Sequence, residues 1–171
     1  MRAKLYGAIV AAVLMTGCGG ALGTLGRLIQ PPTFSQAEGQ ATEIRVSPPS
    51  LNNPLGGAGV TLWLEITNPN AFGFTLSTLQ TTLLLEGGRA ATGDFPLGLP
   101  LGAGQTTVVP VDLSISFADI PGLAGAIRRA AGGQPIAYDL DGTVGIDAGR
   151  LGQPTFGPMR LVSGELRAGV R

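Results

Sequence analysis

The chain has 171 residues, 44% of them hydrophobic and 13% charged, with 28 glycines, 13 prolines and no histidine. That length fits one domain of about 100–200 residues with extensions, and the apolar share is ample for a core. Basic and acidic side chains both number 11. Without Arg2 and Lys4, which lie in a segment expected to be removed, 9 basic side chains face 11 acidic ones and no lysine is left. This excludes nucleic acid as a partner, because affinity for phosphates comes from clustered Lys and Arg. Gly and Pro make up about a quarter of the residues, near low-complexity composition. The regular alternation of apolar and polar residues instead marks a folded β domain punctuated by glycine.

Residues 1–17 read as an export signal. Arg2 and Lys4 are followed by an apolar run from Leu5 to Met15, the length of a signal core and too short to span a bilayer. The run ends Met15-Thr16-Gly17-Cys18-Gly19, which resembles a bacterial lipobox, with Cys18 as the lipid-attachment site. An ordinary signal peptide with a stray thiol is the alternative. That the sole cysteine falls at the cleavage point favours lipidation. Two or more acyl chains on Cys18 would hold the protein stably on a membrane. The expected address is the cell envelope. Gly19, with no acidic residue after the cysteine, resembles lipoproteins sorted to an outer membrane and facing the periplasm.

Residues 18–40 are rich in Gly, Ala, Ser, Gln and Pro and read as a flexible tether. Leu22, Leu25, Leu28 and Ile29 have the spacing of a short helical face that lies on lipid or packs on the domain; a mobile linker is expected. The domain itself is expected over 41–168. Ala41 to Ser47 alternates and predicts a first strand ended by Pro48-Pro49.

Val60 to Thr67 places Val60, Leu62, Leu64 and Ile66 on one side and Thr61, Trp63, Glu65 and Thr67 on the other, the period of a half-buried strand. It stops at Asn68-Pro69-Asn70, where proline removes a donor and asparagine favours turns. Alternation resumes with Phe72, Phe74 and Leu76. Leu79 to Glu86 predicts the next strand, closed by a tight hairpin at Gly87-Gly88, with Arg89 to Phe95 pairing back. Leu97 to Gly104 predicts a crossing loop. In Gln105 to Phe117 the inward set is Thr107, Val109, Val111, Leu113, Ile115 and Phe117, and Pro110 on the outward set predicts an edge strand or bulge.

One helix is predicted next. Asp119 caps it, Pro121 opens it, Ile120, Leu123, Ala124 and Ile127 form its apolar stripe, and Arg128, Arg129 and Gly132-Gly133 end it. Ile136 to Asp147 and Pro158 to Leu166 predict the last two strands. The expected fold is an antiparallel β-sandwich of about seven strands with one short helix, packed like fibronectin type III or immunoglobulin domains.

Leu64-Glu65-Ile66-Thr67-Asn68-Pro69-Asn70 resembles the signature of the late embryogenesis abundant group 2 family, also described as the water stress and hypersensitive response (WHy) domain. Pro32-Thr33-Phe34 opening a strand, one helix after a long strand, and the closing strand from Val162 to Leu166 fit the same layout. The resemblance covers roughly Pro31 to Leu166. It implies a structural role for Asn68, Pro69 and Asn70, and a link to protection against desiccation and related stress.

With no histidine, one cysteine committed to lipid and no lysine after residue 17, Ser-His, Cys-His and Lys nucleophile schemes are excluded. Zinc and copper sites built on His or Cys are excluded with them. Asp139, Asp141 and Asp147 share one strand face, which suits either a glycosidase-like acid pair, a calcium site or a solvated polar face. The bidentate glutamate of a calcium loop is missing. Trp63 either packs under the helix or forms a ligand platform.

The expected function is therefore that of a non-catalytic, membrane-anchored lipoprotein with no cofactor. Its partners would be the membrane, through acyl chains on Cys18, and client proteins or lipid headgroups. The alternatives are a lipid- or ligand-binding envelope module, or a structural subunit of an envelope complex.

Overall fold

The computed structural model describes residues 29–166 except 41, 52, 53, 119, 121, 123, 124, 127, 128 and 130–132. The segments expected to be an export signal (1–17) and a tether, up to residue 28 and including Cys18, lie outside the described residues. Among the described residues eight strands are formed: β1 (Thr33–Gln36), β2 (Glu43–Ser47), β3 (Gly57–Thr67), β4 (Phe74–Leu85), β5 (Gly88–Leu101), β6 (Thr106–Ser116), β7 (Ile136–Asp147) and β8 (Thr155–Leu166).

They make two antiparallel sheets. In the first, β3 pairs along its whole length with β6, from Gly57 opposite Ser116 to Thr67 opposite Thr106. On its other side lie β1, with Phe34 opposite Ile66, and β2, with Ile44 opposite Val60. The second sheet has the order β5-β4-β7-β8. This is the expected β-sandwich, with eight elements where about seven strands were expected.

Alternation decides which residues fill the space between the sheets. Val60, Leu62, Leu64 and Ile66 of β3 are buried, as are Val111, Leu113 and Ile115 of β6. Opposite them stand Leu76, Leu79 and Leu83 of β4, and Leu140, Val144 and Ile146 of β7. Each fully buried aliphatic side chain contributes about 1.5–3 kcal/mol of transfer free energy. Along β4 the buried set runs Phe74, Leu76, then Leu79, Thr81, Leu83 and Leu85. The change of parity falls at Ser77, where the register with β7 steps from Leu76–Ile146 to Thr78–Gly145. One extra residue at a bulge therefore joins two apolar runs of opposite phase into a single strand.

Two expectations need correction. The tether assigned to 18–40 contains β1, and Ile29 is 3% exposed and part of the core. A short strand with one inward side chain, Phe34, carries too little apolar pattern to stand out in sequence. The crossing loop expected at Leu97 to Gly104 is strand as far as Leu101. Phe95, Leu97 and Leu99 face the core while Pro96, Gly98 and Pro100 are exposed. Because β5 pairs only with β4 among the described residues, its outer edge needs no N–H from proline.

The expected helix falls largely outside the described residues. Asp119, Pro121, Leu123, Ala124, Ile127 and Arg128 lie outside the described residues; Gly125, Ala126 and Arg129 have helical backbone. The helical element defined among the described residues is a 3-10 turn at Gly149–Leu151.

Other expectations match. Pro110 sits on β6, which pairs with β3 alone among the described residues, so it is an edge strand. The tight β4–β5 hairpin is present but sits one residue earlier than Gly87-Gly88, with Glu86 at φ 50° and Gly87 at φ 78° between the paired Leu85 and Gly88. Two consecutive left-handed residues match the right-handed twist of the strands they join.

Candidate functional site at the Asn-Pro-Asn corner

Residues 68–70 do not fold β4 back against β3. They carry the chain from the first sheet into the second, since β3 pairs with β1, β2 and β6 and β4 with β5 and β7. At this crossing Asn68 is 0% and Asn70 6% exposed, while Pro69, with no donor to satisfy, is exposed. A buried amide must find partners for all its polar atoms, and both do.

Asn68 Nδ2 donates to the carbonyls of Phe72 at 2.8 Å, Gly102 at 2.9 Å and Leu101 at 3.3 Å. Its Oδ1 accepts from Asn70 N and from Asn70 Nδ2, both at 2.9 Å. The first of these closes an Asx-turn over Pro69. The backbone N–H of Asn68 donates to Gln105 O at 2.9 Å, and Gln105 Oε1 accepts from Gly102 N at 2.7 Å. The β5–β6 turn is thus welded to the end of β3.

Asn70 faces the other way. Its Oδ1 accepts from Gln30 N at 2.8 Å and its Nδ2 donates to Gln30 O at 2.9 Å, a two-point grip on the backbone just before β1. Residues 30, 68 and 102, far apart in sequence, meet through two amides. The structural role expected of Asn68 and Asn70 thus extends beyond a local turn. Sequence reasoning missed Gln30, because a glutamine beside two prolines gives no sign of what its backbone meets; Ile29 enters it only as part of an apolar face before the domain.

The carboxylates are engaged in structure. Arg160 reaches Asp139 through Nη1 at 2.8 Å and Asp141 through Nε at 3.0 Å. Asp141 and Asp139 together hold the guanidinium above its ordinary pKa, the hydrogen bond to Asp141 being the larger cause. Asp147 Oδ1 accepts from Gly149 N and its Oδ2 from Gln153 Nε2, so it caps the turn after β7. The three aspartates do not converge. Among the described residues there is no group of three or more His, Cys, Asp or Glu that could hold a metal ion.

The outer face of the first sheet carries cross-strand polar pairs. Thr61 Oγ1 donates to Asp112 Oδ1 at 2.6 Å, Thr67 and Thr106 share a hydrogen bond at 2.8 Å, and Ser35 Oγ donates to Glu65 at 3.4 Å. Each joins residues directly opposite in register, where side chains are close enough to pair. Trp63 stands among them, half-buried and opposite Pro110. Between the sheets, Tyr138 donates to Gln36 Oε1 at 3.1 Å. Burial pushes its pKa up, and a hydrogen bond with Thr42 partly offsets the rise. An open depression of about 550 Å³ lies beside the corner, between Gly73–Thr75, Pro100–Gly102 and Asp147–Gly149. Its one carboxylate, Asp147, is already committed.

Fold and corner together define a β-sandwich domain held at one end by buried asparagines. The chain belongs to the late embryogenesis abundant protein family, whose model matches residues 64–161, more than half of the sequence. That match spans the last residues of β3, the corner, β4 to β7 with β6 of the first sheet among them, and β8 as far as Leu161. A protein from Arabidopsis thaliana solved in solution is similar in fold: 19% identity, TM-score 0.55, covering 79% of this chain and 83% of that one. A solution structure of a putative late embryogenesis abundant protein gives 18% identity and TM-score 0.50, covering 82% of this chain and 74% of the other. No curated protein matches by sequence.

Proposed function

We infer that this protein is a non-catalytic lipoprotein that places a WHy-type domain at a membrane surface and protects neighbouring proteins or headgroups during water loss. The observation that carries this reading is the outer face of the first sheet. There Thr61–Asp112, Thr67–Thr106 and Ser35–Glu65 present hydroxyls and carboxylates on a rigid backbone in place of an enzyme's acid and base. Such a surface offers hydrogen-bond partners to a client as its hydration shell is lost, and the sandwich beneath does not have to rearrange to do so. Membership of the late embryogenesis abundant family supports the stress-related role. The anchoring rests on the basic and apolar start of the chain and on Cys18 as its sole cysteine.

The test is to dry a labile enzyme with the purified protein and to measure activity on rehydration. Retained activity several-fold above that with an unrelated β-sandwich of equal mass is the expected result, and equal protection would sink the proposal. Mass spectrometry of the mature N-terminus checks acylation of Cys18 separately.

A further inference from the structure

Of the five large hydrophobic side chains left exposed among the described residues, three come from one short stretch: Val46 at 65%, Leu51 at 102% and Leu55 at 61%. They sit at the end of the β2–β3 hairpin, where Ser47 pairs with Gly57. From Val46 to Leu64 the sequence contains no charged residue. We propose that Val46, Leu51 and Leu55 form a bilayer-contact patch that inserts into the interface of the membrane carrying the lipid anchor and lays the domain along it.

Residue chemistry favours lipid over a protein partner. Protein interfaces draw their energy from buried Trp, Tyr and Arg set in a polar rim. This stretch has aliphatic side chains with Pro, Ser, Asn and Gly, and neither an aromatic nor a charge before Trp63. Leucines with no charge to desolvate suit the boundary between headgroups and acyl chains.

The length of chain before the fold fits as well. Ile29 and Gln30 are held at the Asn70 end of β3, and the patch lies at the Gly57 end. Ten residue steps of strand separate those ends, about 33 Å. Cys18 lies eleven residues before Ile29, a reach of up to about 36–40 Å. The tether is thus long enough for β3 to lie along the membrane with both ends near it. Tethering also makes insertion intramolecular, so a weak contact is enough to fix orientation. In this division the acyl chains retain the protein and the patch orients it.

The proposal rests on the anchoring in the proposed function, and its test reads the two separately. The acylated full chain carrying Leu51→Cys, labelled there with an environment-sensitive fluorophore, is reconstituted into vesicles of phosphatidylcholine and phosphatidylglycerol. The expected result is a blue-shifted emission, quenched several-fold more by nitroxide-bearing lipid than the same label at Ser163→Cys on the exposed face of β8. Adding Val46→Asp and Leu55→Asp should abolish the shift.

Emission unchanged by vesicles overturns the proposal. So does a shift that is already present without lipid and grows with protein concentration, which assigns the patch to self-association. Mass spectrometry of the same sample reports acylation. If Cys18 proves unmodified, the labelled Cys18→Ala chain is mixed with the same vesicles, and absence of a shift there overturns the patch independently of the anchor.

Discussion

Asn68 is held by geometry that only a carboxamide satisfies. Three carbonyl oxygens surround Nδ2 and two N–H groups point at Oδ1. Aspartate has the same shape and no donor. Asn68→Asp should therefore strip the carbonyls of Phe72, Leu101 and Gly102 of their partner and set a negative charge against them. A loss of about 3 kcal/mol or more is expected, since each orphaned buried group costs about 1–3 kcal/mol. Chemical denaturation would measure it, and a loss under about 1 kcal/mol would refute this account of the corner. The sequence places a turn here, because Asn-Pro-Asn is turn chemistry. That the amides reach 33 and 40 residues away is visible only in the fold.

Tyr138 gives the fold a pH dependence whose sign follows from its burial. Its folded pKa is raised above the ordinary 10.0, so below that value it is neutral in both states and the full stability is present. As pH rises past the unfolded value, the unfolded chain releases the proton first and stability falls until the folded group also ionises. Denaturant midpoints measured from pH 8 upward should decline above about pH 10, and Tyr138→Phe should flatten that decline. An equal decline in the variant would assign it elsewhere. Arg160, although paired with Asp139 and Asp141, is exposed at the surface, where such pairs are screened and contribute little.

At the scale of elements, β1 shows how a strand can exist with almost no pattern of its own. Its four residues are mostly exposed, yet they pair with Leu64–Thr67 and are flanked by Ile29 in the core, the Asn70 grip on Gln30 and the Gln36–Tyr138 bond. A chain beginning at Ile29 keeps every described residue and sets the reference stability for this strand. Removing residues 1–36 should lower it by several kcal/mol, because the buried Ile29 and the partners of Asn70 go with the strand. Comparing the two truncations by thermal melting checks this; equal stability would mean that β1 is dispensable.

The second sheet carries a related lesson in β5. Proline and glycine at positions 96, 98 and 100 signal a loop, yet they occupy the exposed side of a strand whose leucines face inward. Prolines on β5 and β6 also leave fewer free N–H groups for edge-to-edge association.

For the molecule as a whole, long alternating runs were legible because period two depends on the residues themselves. Val60 to Thr67, Gln105 to Phe117 and Ile136 to Asp147 needed no partner to declare their inward faces, and together they imply a sandwich. The same sequence, having no histidine, leaves no Ser-His or Cys-His pair, and it marks Asn68-Pro69-Asn70 as a corner. Only the tertiary structure decided that this corner crosses between sheets, that Gln30 is its distant partner, and that Asp139 and Asp141 share Arg160. It also decided that β5 continues through its prolines. These depend on which edges are left unpaired and on hydrogen bonds between residues tens of positions apart, and local pattern carries no information about either.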